Sequence, residues 1–284
     1  MIREILLSVV EIISLKIETI ISLLKISRNG YSGLNKNKRE SLIIISLTTI
    51  PCRIKYLHYT LANIFNQTVL PDKIILYLAK EEFKHEDIPK HVLDLEKKGL
   101  EIQFVENIRS HKKYYYAMQT YPDALIITID DDILYRKSLV EALYNSYIEN
   151  PTCISCMRAN RIKKGSNGEV LPYSKWDINV KDEQASYDLL AVGAGGILYS
   201  PHLLSQKAFD VEELSKRAIY ADDIWLKGAQ LANGIKVKIA SCSRLYEIHL
   251  ANRKQQKEAL SHENVKHRND ESIRLVSEWF DVKF

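Results

Sequence analysis

The chain of 284 residues has little glycine (10), little proline (7) and only four cysteines. The first two scarcities exclude collagen-like and linker-rich readings. Cys52, Cys153, Cys156 and Cys242 follow no secretory signal and fall short of the density of a disulfide scaffold. Reduced thiols in the cytoplasm are therefore expected. Cys153-x-x-Cys156 has no second pair beside it, so a zinc site gains little support, and two thiols near a buried strand is the simpler reading. A strong charge of one sign is also missing. Lys plus Arg is 40 against 36 for Asp plus Glu, and a net charge of +4 gives no reason to expect nucleic acid as a partner. No charge-free apolar run is long enough to span a bilayer, which needs roughly 20 residues. The longest near the N-terminus, Ile5 to Val10 and Thr19 to Leu24, are interrupted by Glu11, Lys16 and Glu18, which also break any signal-peptide core. There is no internal repeat and no low-complexity tract.

What is present is globular composition, 46% apolar and 27% charged, with length for one large domain or two small ones. The 16 tyrosines suit contact with sugar rings and equally suit ordinary packing. Residues 1–26 read as an apolar amphipathic helix. Glu4, Glu11, Glu18 and Lys25 recur every seven residues with Ser8 and Ser22 beside them, giving one narrow polar stripe. Such a helix must bury most of its surface in a membrane interface, against a second copy, or on its own domain. Interfacial helices usually carry a richer Lys/Arg face than this one. Residues 27–40 (SRNGYSGLNKNKRE) read as a linker, with Arg28, Lys36, Lys38 and Arg39 either solvated or against anionic lipid. Peripheral attachment to the inner face of a membrane stays open on this reading.

From residue 41 onward strands alternate with helices. SLIIISLTT (41–49), KIILYL (73–78), Ile102–Val105 and ALIITI (124–129) read as strands. Residues 54–66, Ile88–Lys98 with Gly99 as a stop, and Tyr114–Thr120 read as helices. A later strand is expected over Lys236–Ala240, and a helical tail over residues 252–284 whose Trp279 and Phe280 dock back on the domain. The alternation predicts an α/β fold with a central mixed, largely parallel sheet flanked by helices, and ligands beyond the carboxyl ends of the strands.

The chemistry begins at one such strand end. Asp130, Asp131 and Asp132 follow ALIITI directly, and three adjacent carboxylates repel one another. A hard cation relieves that cost, and Mg²⁺ or Mn²⁺ would complete its shell with water and phosphate oxygens. Extended backbone sends Asp130 and Asp132 to one side and Asp131 to the other. The alternative is a solvated acidic turn. Asp222 and Asp223 open an apolar helical segment about 90 residues later, either complementing its dipole or acting as a general base. Gly193, Gly195 and Gly196 sit in an apolar segment, permitting close approach of a ligand or tight sheet packing. Tyr173 and Trp176 lie on a polar stretch that is either an acceptor-side loop or ordinary packing.

Over residues 41–240 these pieces resemble, in order, a GT-A type glycosyltransferase of the family 2-like kind. SLTTIPCR (46–53), QTVLPDKIILYL (67–78), ITIDDDILY (127–135), GAGGILYSP (193–201) and ADDIWLK (221–227) carry the resemblance. It implies a single GT-A domain over 41–284, a nucleotide-sugar donor (a UDP-sugar foremost), a divalent cation, and a glycan or lipid-linked acceptor. It further implies Asp132 as metal ligand with Asp130, and His249 as a third ligand. Thr48, Thr49, Arg53, Lys112, Lys113, Asp130 and Asp131 would line the donor. Gly195, Gly196 and Trp176 would lie on the acceptor side. Asp223 would be the base for an inverting transfer, with Asp222 as its neighbour where the family more often has Glu. Two other readings compete. A DxD phosphohydrolase expects DxDx[TV], and Leu134 stands at the last position. A catalytically silent nucleotide- or glycan-binding protein would not need both acidic motifs.

Overall fold

The computed structural model describes residues 2–28, 33–182, 184–241, 247–249 and 268–284, with side chains described from Val9 onward and not over 247–249. The chain opens with helix α1 (Ile2–Ile26), then strand β1 (Ile43–Thr48), helix α2 (Leu57–Phe65) and β2 (Lys73–Ala79). Short α3 (Lys90–Leu93) precedes β3 (Leu100–Val105), α4 (Lys112–Thr120), β4 (Leu125–Thr128) and β5 (Ile133–Tyr135). Helix α5 (Leu139–Glu149) leads to β6 (Cys153–Cys156), β7 (Ala159–Arg161), β8 (Leu189–Ala191) and β9 (Ile197–Tyr199). Helices α6 (Val211–Arg217) and α7 (Asp222–Ala232), β10 (Lys236–Ile239), β11 (Glu247–His249) and α8 (Asn269–Phe280) complete it.

Seven strands form the central sheet in the order β10-β6-β9-β4-β1-β2-β3. β9 alone in this sheet runs antiparallel, between β4 and β6. Parallel strands are buried on both faces, which is why β1, β2 and β4 are near-continuous apolar runs. Their side chains still alternate. Ile43, Ile45 and Leu47 enter one core with Leu61 and Phe65 of α2 and Leu139 and Leu143 of α5. Ile44 enters the other with Tyr114 of α4, Trp225 of α7 and Phe280 of α8. This is the layered α/β architecture the sequence predicts. Two expectations are corrected in detail. The helix expected over Ile88–Lys98 is broken into α3 and a 3₁₀ turn (Glu96–Lys98), ended as expected by left-handed Gly99. Pro89 stands at the N-cap of α3, and Ile88 before it is extended rather than helical. The tail is helical only over α8 among its described residues. Phe280 docks edge-on against Trp225, with ring centroids 4.9 Å apart, as expected.

Helix α1 packs on α2 and β5 with its polar stripe, not its apolar face. Arg136, buried just after β5, donates to both Glu18 (2.7 Å) and Glu11, and to Ser14 Oγ (3.1 Å). Asn63 donates to Thr19 Oγ1 (3.0 Å), Asn66 donates to Ser22 Oγ (2.9 Å), and Lys25 donates to Asn66 (2.9 Å). Of the described aliphatic side chains on this helix, Leu15 and Ile26 are the buried ones. Residues 33–40, read as a linker, run against the domain. Arg39 pairs with Asp72 at 3.2 Å, and a Cβ on Gly33 would strike the Phe65 carbonyl. Because Arg136 neutralises two partly buried carboxylates, Arg136→Met is expected to cost about 2–4 kcal/mol. Urea unfolding would show it, together with faster proteolysis between residues 28 and 42.

Cys153 and Cys156 are buried free thiols in β6, the simpler of the two readings. No described helix is long and apolar enough to cross a membrane.

Candidate active site

The acidic run sits where β4 ends, and its backbone is held from below and from the side. Thr60 of α2, fully buried, donates to the carbonyls of Asp131 (3.0 Å) and Ile133 (2.8 Å). The Tyr135 hydroxyl accepts from the Asp130 amide (3.0 Å) and donates to the Ala194 carbonyl (2.9 Å). One tyrosine thus ties the acidic turn to the glycine turn before β9.

The three carboxylates face different partners. Asp131 turns inward, 3% exposed, accepting from Thr49 Oγ1 and pairing with Arg53 Nη2 at 2.9 Å. Burial pushes its pKa up to about 6 despite Arg53. Both its oxygens are occupied inside the chain, so its place is under the site and not against a donor. Arg53 also reaches Asp132 through Nη1 at 3.2 Å. Burial opposes the charge of Arg53, but Asp131, Asp132 and Asp130 hold its pKa above the ordinary value. Its Nε is a buried donor with no acceptor among the described residues. Thr48 donates to the Tyr77 carbonyl at the same strand ends (2.8 Å).

The turn after β3 supplies the link to the second acidic motif. Lys113 Nζ, in a buried side chain at the start of α4, donates to Asp130 Oδ1 at 2.8 Å and pairs with Asp222 Oδ2 at 3.1 Å. Burial alone would lower its pKa, but Asp130, Asp222 and Asp223 hold it well above the ordinary lysine value. Ser110 donates to the other Asp222 oxygen at 2.8 Å. Burial opposes ionisation of Asp222 too, yet Lys113 and His111 keep its pKa below the usual value. His111 is fully buried, with Nε2 at 2.8 Å from the Ala218 carbonyl and Nδ1 at 2.9 Å from Tyr114 Oη. Burial lowers its pKa.

Asp223 differs from its neighbour. It stands in the first turn of α7 with no cation in contact among the described residues, accepting instead from the Gly193 amide (3.0 and 3.2 Å). Burial first, and the adjacent Asp222 second, push its pKa up to about 7. A Cβ on Gly193 would lie 2.9 Å from Lys113 Nζ and 3.0 Å from Asp223 Oδ1. Only glycine lets this backbone close on both groups. Gly193→Ala is therefore expected to displace one of them, lowering turnover more than tenfold and, where Lys113 is the group that moves, stability by about 1–3 kcal/mol. Steady-state kinetics beside a thermal melt would check it.

Not every expected residue joins this cluster. Lys112 points to Asn107 Oδ1 (3.0 Å), and burial lowers its pKa, so it belongs to the loop and not to the carboxylates. Trp176 is 4% exposed and donates from Nε1 to the Leu171 carbonyl (2.8 Å), which makes it a core side chain with no open face for a sugar. Gly195 and Gly196 are buried. A Cβ on Gly195 would strike Arg158, and Gly196, at φ +90°, closes on Leu139. Their demand is packing, and the glycine that reaches the acidic pair is Gly193. His249 pairs through its backbone with Ile133, and its side chain lies outside the described residues. Ser110 and His111 escape the sequence reading because nothing local marks them. The only hint is that they precede Lys112 and Lys113 on the way into the acidic strand.

Among the described residues no three His, Cys, Asp or Glu side chains converge as a metal cage. A hard cation that keeps waters and phosphate oxygens needs only one or two carboxylates. Asp130 and Asp132, with 33% and 17% side-chain exposure, are the members of the run that reach solvent. Four carboxylates pair with Arg53 and Lys113 and Asp223 stands beside them, so among the described residues negative charge exceeds positive and the donor set fits Mg²⁺ or Mn²⁺.

No protein-family model matches the sequence, and no curated protein matches it. Similar solved structures include CMP:2-keto-3-deoxy-manno-octonic acid synthetase complexed with CTP, at 9% identity and TM-score 0.45, covering 79% of this chain and 98% of that one. UDP-glucose pyrophosphorylase from Acinetobacter baumanii matches at 10% identity and TM-score 0.45, over 84% and 99%. S. aureus TarS 1–349 in complex with UDP matches at 12% identity and TM-score 0.46, over 84% and 70%. These likenesses are distant, and the reading of the site rests on its own geometry.

Proposed function

We propose that the protein transfers a sugar from a nucleotide-sugar donor to a hydroxyl of a glycan or lipid-linked acceptor, with inversion at the anomeric carbon. The observation that carries this reading is the bridge made by Lys113, which joins Asp130 of the first acidic motif to Asp222 of the second. Two motifs about 90 residues apart thereby share one site at the strand ends, where α/β sheets bind ligands.

The roles follow from charge and protonation. Asp223, with a pKa raised to about 7 and no paired cation among the described residues, suits a general base. It takes the acceptor hydroxyl proton as that oxygen bonds to the anomeric carbon. The bond from that carbon to the donor phosphate breaks, and its electron pair leaves with the nucleoside diphosphate. Asp222, kept ionised by Lys113 and Ser110, raises the proton affinity of Asp223. Arg53 and Lys113 would face the diphosphate. A divalent cation held by Asp132 and Asp130 would neutralise charge on the leaving diphosphate.

The direct test is nucleotide release and sugar transfer across a panel of sugar nucleotides, with Mn²⁺ and with EDTA, together with metal-dependent nucleotide binding by calorimetry. Release from one donor, abolished by EDTA and by Asp132→Ala, is the expected result. Absence of both nucleotide binding and release for every donor would overturn the donor-site assignment.

A further inference from the structure

The side of α1 turned away from the domain is aliphatic. Val10, Ile13, Ile17, Ile20, Ile21 and Leu24 are each between 46% and 61% exposed. An amphipathic helix on a globular domain ordinarily buries such a face. Here the ion pairs from Arg136 to Glu11 and Glu18, and the amide contacts of Asn63 and Asn66, fix the opposite side against the domain. Exposure of the aliphatic side is thus set by specific polar bonds. Six half-exposed aliphatic side chains along one stripe form the kind of contiguous apolar patch, roughly 300–600 Å² at its largest on an ordinary monomer, that is often functional.

Over residues 9–28 and 33–40 the exposed charges among the described residues are four cations, Lys16, Arg28, Lys36 and Lys38, and one acid, Glu40. The two acids of α1 with described side chains are turned inward onto Arg136. Lys16 is exposed and flanks the aliphatic stripe by helical spacing. Arg28 is exposed two residues past the helix end, and Lys36 and Lys38 are exposed further along the chain. A cavity of about 540 Å³ opens at that end between Leu23, Ile26, His58, His91, Lys97 and Lys98. The one acid lining it, Asp94, is already paired with Lys90 and Lys97. An apolar stripe edged by cations and closed by a basic cavity matches the boundary between acyl chains and anionic headgroups. A second copy of the chain fits less well, because one helix face offers less than the roughly 800 Å² per partner of a stable dimer.

We propose that α1 docks the protein on an anionic lipid bilayer, its aliphatic face among the acyl chains and Lys16, Arg28, Lys36 and Lys38 against the headgroups. This attachment does not depend on the transferase reading. Its test is sedimentation of the full chain with vesicles of phosphatidylcholine alone, and with roughly one third phosphatidylglycerol. Strong binding to the anionic vesicles is expected, weaker binding to the neutral ones, and at least a tenfold loss of partitioning in Ile17→Asn/Leu24→Asn. Both positions are exposed, so that variant should keep the wild-type melting temperature, measured in parallel. Lys16→Gln/Lys38→Gln should lower binding severalfold on anionic vesicles only. Wild-type protein left in the supernatant with both vesicle types would overturn the proposal. So would binding unchanged by Ile17→Asn/Leu24→Asn, or a dimer seen by light scattering that this variant dissolves in the absence of any vesicle binding.

Discussion

Asp223→Asn is expected to lower sugar transfer by about 10³-fold while making the protein more stable at pH 8. The two effects share one cause. Burial and the adjacent Asp222 raise the Asp223 carboxyl from 3.8 to about 7, so its ionised form is disfavoured in the folded chain. Between about pH 4 and 7 the native state therefore holds a proton that the unfolded state has released. Stability from this group falls as pH rises through that window, and the full cost is present above 7. Three pKa units set a ceiling of about 4 kcal/mol, and a gain of about 1–3 kcal/mol from Asp223→Asn is expected at pH 8. At pH 4 the variant and the parent should melt alike. Asparagine keeps an oxygen for the Gly193 amide, so the contact survives while the base is lost. In the parent protein, turnover should rise about tenfold per unit up to pH 7 and then level, if ionised Asp223 is the proton acceptor as proposed. Denaturant midpoints and pH–rate profiles of the two proteins would check both halves. An Asp223→Asn variant with parental turnover would assign the base elsewhere.

Lys113→Met should be the most damaging single change to the fold of the site. It leaves Asp130 and Asp222 without their shared cation in a largely buried pocket. Breaking a buried pair from one side typically costs about 3–5 kcal/mol. Asp222 is the partner left worse off, because Lys113 is the main influence keeping its pKa down against burial. The double variant Lys113→Met/Asp222→Asn should therefore recover most of the stability lost. It should recover none of the activity, because Asp130 and the proton affinity of Asp223 remain disturbed. Urea unfolding of the four proteins gives the coupling energy directly. A cycle in which the two changes simply add would mean that the bridge carries no energy.

Much of the architecture was readable along the chain because buried parallel strands leave unmistakable apolar runs, as in Ile43–Leu47 and Ile74–Leu78. The two acidic motifs were readable for a related reason, since several carboxylates at a strand end or helix start stand out against apolar neighbours. What joins them was not readable. Lys113 looks like one half of a surface Lys-Lys pair until the fold places it between Asp130 and Asp222, and Lys112 beside it goes to Asn107 instead. The direction of α1 was hidden in the same way. Its heptad of polar residues is plain, but the reason that stripe faces inward is Arg136, more than a hundred residues away. Trp176 shows the opposite failure. Polar neighbours in sequence suggested an exposed ring, and the loop folds over to bury it.

The packing of α8 on α7 has a consequence for the order in which the protein can be made. Asp222 and Asp223 stand on a helix whose Gly228 leaves no room for a side chain beneath Val276 and Phe280, and whose Trp225 meets Phe280 edge-on. The ribosome delivers the acid pair some fifty residues before the helix that braces it. A nascent chain can therefore lay down β1, β2 and β4 and carry both acidic motifs while the second still lacks its support. Bracing of the acid pair waits for residues up to Phe280, so an interrupted translation product would be folded in its sheet and, on the proposed reading, idle in its chemistry.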